Sequence, residues 1–147
     1  MSTDTNLDEP YKFFSGYESV VSRFGQWPSF HDGEVHRLVL DRMKQNALGL
    51  YVPTVEIHLR GWTMSLVEGH YVLQNDSVIH LYFEDVFDLE LEGFNNQNVL
   101  TALNLDLVAD GSSGASALHV ELEHCYMFCG QFRARKASVL KVESFAR

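Results

Sequence analysis

The sequence predicts an α+β domain that is mainly β: an antiparallel, meander-like sheet with one short N-terminal helix and room for a second short helix. Three observations carry this expectation. Apolar and polar residues alternate with period two along most of the chain, clusters of turn formers separate the alternating runs, and no helical stretch of roughly 10–15 residues lies between them to act as a parallel crossover.

Taken in order, residues 1–12 read as a flexible N-terminal segment of a single domain spanning 1–147. Tyr17–Phe24 then sets Val20, Val21 and Phe24 at helical spacing, and Gly25 supplies a helix stop. Past Phe30 the period becomes two. A strand is expected over 35–42, and Val55, Ile57 and Leu59 alternate with Glu56, His58 and Arg60. Further strands are expected over 77–83, 103–108, 127–133 and 138–142. Leu89 and Leu91 alternate with Asp88, Glu90 and Glu92, as do Leu118, Val120 and Leu122 with His119, Glu121 and Glu123. Turns are read at Gln74-Asn75-Asp76, at Gly93-Phe94-Asn95-Asn96 and at Asp110-Gly111-Ser112-Ser113-Gly114. Residues 95–102 admit one helical turn or a short helix.

Size and composition limit the class. A chain of 147 residues holds one ordinary core, and 46% hydrophobic with 21% charged residues is globular composition. A domain of this length buries roughly 70% of its unfolded surface, so neither disulfide nor metal is needed to supplement the core. The first ten residues carry no basic start and no apolar block, and the longest apolar-looking stretch, 47–52, is far short of the roughly 18 residues of a membrane span. A cytoplasmic protein without membrane contact is expected. If Cys125 and Cys129 share one extended strand, their Cα atoms stand about 13 Å apart, beyond the roughly 7 Å a disulfide allows. They are expected to be free thiols, buried and inert, in a reducing compartment.

Charge narrows the partners. Eleven basic against 20 acidic residues leave a net charge of −9, which disfavours a phosphate-binding surface and so nucleic acid. Residues 1–132 hold 6 basic and 19 acidic residues, whereas 133–147 hold 5 and 1. The densest acidic piece, Glu84, Asp85, Asp88, Glu90 and Glu92, is the candidate partner-binding face, and it would attract a basic protein. With Leu89 and Leu91 pointing inward, alternation turns Asp88, Glu90 and Glu92 outward.

Two blocks carry a resemblance. Phe24-Gly25-Gln26-Trp27-Pro28-Ser29-Phe30-His31-Asp32-Gly33-Glu34-Val35 is similar to the opening motif of the immunity protein 50 family. Phe83-Glu84-Asp85-Val86 and Leu91-Glu92-Gly93-Phe94-Asn95-Asn96-Gln97-Asn98-Val99 resemble its mid-chain strand and following turn. The similarity runs over about 24–107. It implies a non-enzymatic bacterial protein that binds and neutralises the toxin domain of a polymorphic toxin system, with no cofactor. No catalytic or binding residue carries over from it. Trp27, Pro28, Phe30, His31 and Asp32 read as a structural motif, with Trp27 and Phe30 as core or lid aromatics. Gly33 stands where the family is expected to have alanine, and adds backbone freedom before the first strand.

The alternative is a small metal- or ligand-binding domain. His31, Asp32, Glu34 and His36 put four candidate ligands within six positions, and on a strand Asp32, Glu34 and His36 share one face. No H-E-x-x-H spacing supports it. Catalytic templates are weaker still: no GxSxG elbow and no phosphate-cradling glycine loop occurs. His124 and Cys125 are adjacent, so on a strand they face opposite ways and cannot share a site.

Overall fold

The alternating runs become strands of one six-stranded antiparallel sheet, ordered β1-β2-β3-β6-β5-β4. In the computed structural model, which describes residues 9–110 and 116–145, β1 is Glu34–Gln45, β2 Tyr51–Val67, β3 His70–Glu92, β4 Leu100–Ala109, β5 Ser116–His124 and β6 Cys129–Ser144. Two three-stranded meanders, β1-β2-β3 and β4-β5-β6, are thus joined along a seam between β3 and β6. The class is α+β, mainly β.

Period two sends one side of each strand inward. Val55, Ile57 and Leu59 of β2, Ile79, Leu81 and Phe83 of β3, and Leu118, Val120 and Leu122 of β5 are at most 1% exposed. Each such burial contributes about 1.5–3 kcal/mol. Helix α1, Tyr17–Phe24, covers this face with Val20 and Phe24, and ends where Gly25, at φ 84°, donates its N–H to the Val21 carbonyl at 2.8 Å. Ahead of it, a 3-10 turn at Pro10–Phe13 leads to Ser15. β5 accompanies β6 only from Gly130 to Ala134; beyond that Ser15 takes the edge, bonding Ala137 and Val139 through its own N–H and carbonyl.

The sheet is open along most of its length, but its two edge strands meet at one end. Asp32 N–H donates to the Leu100 carbonyl, Leu100 N–H to Gly33, and Val35 N–H to Asn98, at 2.8–3.0 Å. Buried Asn98 holds this corner by bonding Asn95 and Val35 with its amide.

Several expectations are corrected. Residues 74–76 do not turn: they lie within β3, where Asn75 takes φ 56° opposite a register shift between Gly61 and Thr63. The chain reverses instead at Glu68-Gly69, φ 49° and 80°, so that β2 and the first strand segment expected over 77–83 extend far beyond their predicted ends. Residues 95–102 form no helix, because their backbone groups are taken by the edge-to-edge corner and by the start of β4. The strands expected over 127–133 and 138–142 are one strand, β6. Cys125 is exposed rather than buried, since it lies in the β5–β6 turn and not on a strand with Cys129; both are free thiols. Residues 1–8 of the expected flexible segment, and all of the turn read at 110–114 except Asp110, lie outside the described residues. No helix among the described residues is long and apolar enough to cross a membrane.

Candidate functional site

The acidic run does not form a single row. Asp85 and Asp88 take left-handed backbone, φ 55° and 53°, and the register against β6 shifts between Phe87 and Glu90. Alternation therefore breaks, and Leu89 is 39% exposed rather than inward, while Leu91 still packs on the core. Glu84 and Asp85 are drawn to β6, 3.7 Å from Lys136 Nζ and 3.4 Å from Arg135 Nη1. Arg135 also lies over the Phe87 ring at 4.2 Å. Asp88, Glu90 and Glu92 remain exposed. Glu90 accepts a bond from Gln131 Nε2 at 2.8 Å, and Gln131 is the register partner of Glu121 on β5. A shallow cleft of about 350 Å³ thus collects Glu90, Glu92 and Glu121. Glu121 joins only because β6 pairs with both β3 and β5 and so brings β5 within one strand of β3, which period alone cannot reveal.

The motif around Trp27 is built as expected in kind. Phe30 is 3% exposed and meets Phe24 and Trp27 edge-on, while Trp27 stacks between Tyr11, 5.4 Å away, and Phe14, 5.3 Å away. Trp27 is partly buried and packs against the core beneath the 3-10 turn. His31 Nδ1 lies 3.0 Å from the Thr101 carbonyl. The four candidate ligands are dispersed as two pairs, His31 with Asp32 at 3.5 Å and Glu34 with His36 at 3.9 Å. Asp32 precedes β1 at φ 63°, and a register shift between Val35 and Arg37 interrupts the alternation, so the three do not share a strand face.

Two features escape the sequence reading. β2 and β3 run on beyond their neighbours: β1 leaves β2 at Arg60, and β6 leaves β3 at Ser77. The remainder is a two-stranded arm. Its cross-strand pairs Met64 with Leu73 and Leu66 with Tyr71 place four large hydrophobic side chains on one face, 40–73% exposed. The base of that face opens into a groove of about 680 Å³ bordered by Phe24, Pro28, Phe30, His31, Asp32 and Met64. Arg60 anchors the arm, donating two bonds to Asp76 at 2.9 and 2.7 Å beneath the Trp62 and Phe145 rings. Period two is present in Thr63-Met64-Ser65-Leu66, and Glu68-Gly69 is a turn signal, so the first strand of the arm and its turn each carry a local signature in the sequence.

The second feature lies on the outer sheet face. His58 of β2 and His80 of β3 are register partners with rings stacked 3.7 Å apart, and Glu56 Oε2 is 2.7 Å from His58 Nε2. Among the described residues these three form a group whose ligand atoms all lie within 4.8 Å of one another. Burial, then the neighbouring His58, holds the His80 imidazole below the ordinary histidine range. No sequence spacing brings position 58 to position 80 without the strand register.

No protein-family model, curated protein or solved structure matches this chain. The resemblance to the immunity protein 50 family therefore rests on the two blocks of residues that carry it.

Proposed function

We propose that this chain is a non-enzymatic immunity protein of the bacterial cytoplasm, which binds and neutralises a cognate toxin domain. The observation that carries this reading is the apolar face of the arm, continuous with the groove beneath the Trp27–Asp32 motif. Exposed aliphatic and aromatic side chains clustered on one face of a two-stranded ribbon are unusual for a surface left in water, and suit a protein partner. Charge defines that partner further. Residues 61–132 contain no lysine or arginine and eleven carboxylates, so the partner surface is basic around an apolar anchor. A toxin that acts on nucleic acid has such a surface, and covering it would block its substrate.

The test is co-expression with the product of the adjacent gene. A stable complex on size exclusion, and survival of cells that otherwise die from the toxin domain, are expected. Leu66→Glu should then weaken the complex by at least about 2 kcal/mol, as loss of an interface anchor does. Absence of any complex, with both proteins folded, overturns the reading.

A further inference from the structure

The Glu56–His58–His80 group has a use that partner binding does not require. Two imidazoles and one carboxylate are the donor set that a borderline divalent ion prefers, and three protein ligands leave a fourth position for water. The positions follow from the fold. Glu56 and His58 are two residues apart on β2 and so share its outer face, while the β2–β3 register sets His80 directly opposite His58. The side chains are restrained: both histidines are 17% exposed and Glu56 29%. Ligands of a tetrahedral zinc ion stand roughly 3.3 Å apart, given bonds of about 2.0–2.2 Å. Atoms already within 4.8 Å of one another need only side-chain rotation to reach that spacing.

We propose that Glu56, His58 and His80 form a Zn²⁺ site that clasps β2 to β3 on the outer face of the sheet. The ion enters between His58 Nε2 and Glu56 Oε2 and displaces the Nε2 proton of their hydrogen bond, the ring passing to the tautomer that carries its proton on Nδ1 and leaves Nε2 to ligate. His80 supplies the third ligand through Nε2. Glu143, whose Oε1 lies 3.6 Å from that nitrogen, stands beside the fourth position. The cationic neighbours are Arg37 opposite His58 and Lys141 opposite His80, and Lys141 is itself paired with Glu143 at 3.2 Å. Two carboxylates therefore oppose these charges.

The site does not depend on the toxin-binding reading, and it is tested without a partner. Full-length protein free of any histidine tag, stripped with chelator, is titrated with Zn²⁺ against a chromophoric competitor. One equivalent should bind. His58→Gln and His80→Gln should each weaken binding by at least about tenfold, because even removal of a supporting group around a metal costs that much. The double variant His31→Gln with His36→Gln should bind as the wild type does. Imidazole NMR of the unmutated protein gives a readout that no folding defect can obscure: Zn²⁺ should move the His58 and His80 resonances and leave His31, His36, His70, His119 and His124 in place. No saturable binding, undiminished binding in both single glutamine variants, or shifts confined to other histidines would overturn the site.

Discussion

Gly33 is held where a side chain does not fit. A Cβ there would lie 2.8 Å from the Arg60 carbonyl oxygen and 2.9 Å from that of Phe30. Gly33 is not among the residues at positive φ, so its value is close approach of backbones and not the added freedom that the sequence suggested. Gly33→Ala should destabilise by about 1–3 kcal/mol in urea melts, as overpacking does; an unchanged midpoint would mean that the loop yields. This bears on the alanine expected from the resemblance, which requires a looser turn than this chain has. Trp27→Ala removes the middle ring of a stack, and for a half-buried side chain should cost about 2–3 kcal/mol, less than a full core deletion. If that variant melts normally yet fails to bind the proposed toxin partner, Trp27 is an interface anchor instead. The buried positions Ile57, Leu59, Leu118 and Val120 were legible because alternation is a property of neighbours in sequence. Glu56, His58 and His80 were not, because their meeting depends on a register that no local pattern encodes.

Helix α1 was readable to its ends, since Val20, Phe24 and Gly25 state both its face and its stop within eight residues. The strands were legible in kind but not in length. Asn75, Asp85 and Asp88 look like turn formers, yet a long strand accepts them as left-handed irregularities when both neighbours continue to pair, and this is why β3 runs through them. The arm that results should behave as an independent surface. Leu66→Ser with Tyr71→Ser removes exposed side chains only, so stability should stay within about 0.5 kcal/mol for each. Binding of a hydrophobic dye should fall at the same time. A large loss of stability would show that the arm packs against the body. The corner at Asn98 is the opposite case. Asn98→Ala leaves the buried Val35 carbonyl and Asn95 backbone groups short of partners, and should cost about 1–3 kcal/mol by thermal melting.

Across the whole molecule, charge sets how fast a basic partner arrives, and packing sets how long it stays. Asp88→Asn, Glu90→Gln and Glu92→Gln together should slow association with the proposed toxin partner and flatten its salt dependence, with melting temperature unchanged or slightly raised. Stopped-flow mixing at two salt concentrations checks this. Unaltered kinetics would place the electrostatic contribution elsewhere, around Asp32 and Glu68 on the arm side. The joining of the two meanders has a separate consequence, for the time the chain takes to become native. Each meander closes through contacts between strands adjacent in sequence, but the seam pairs Ser77 with Ser144 and Glu92 with Cys129. Closing such distant pairs costs loop entropy before any burial compensates, which puts refolding in the range of about milliseconds to seconds. During that interval both β3 and β6 expose an unpaired edge, so a newly made chain is most vulnerable to self-association before its seam has closed.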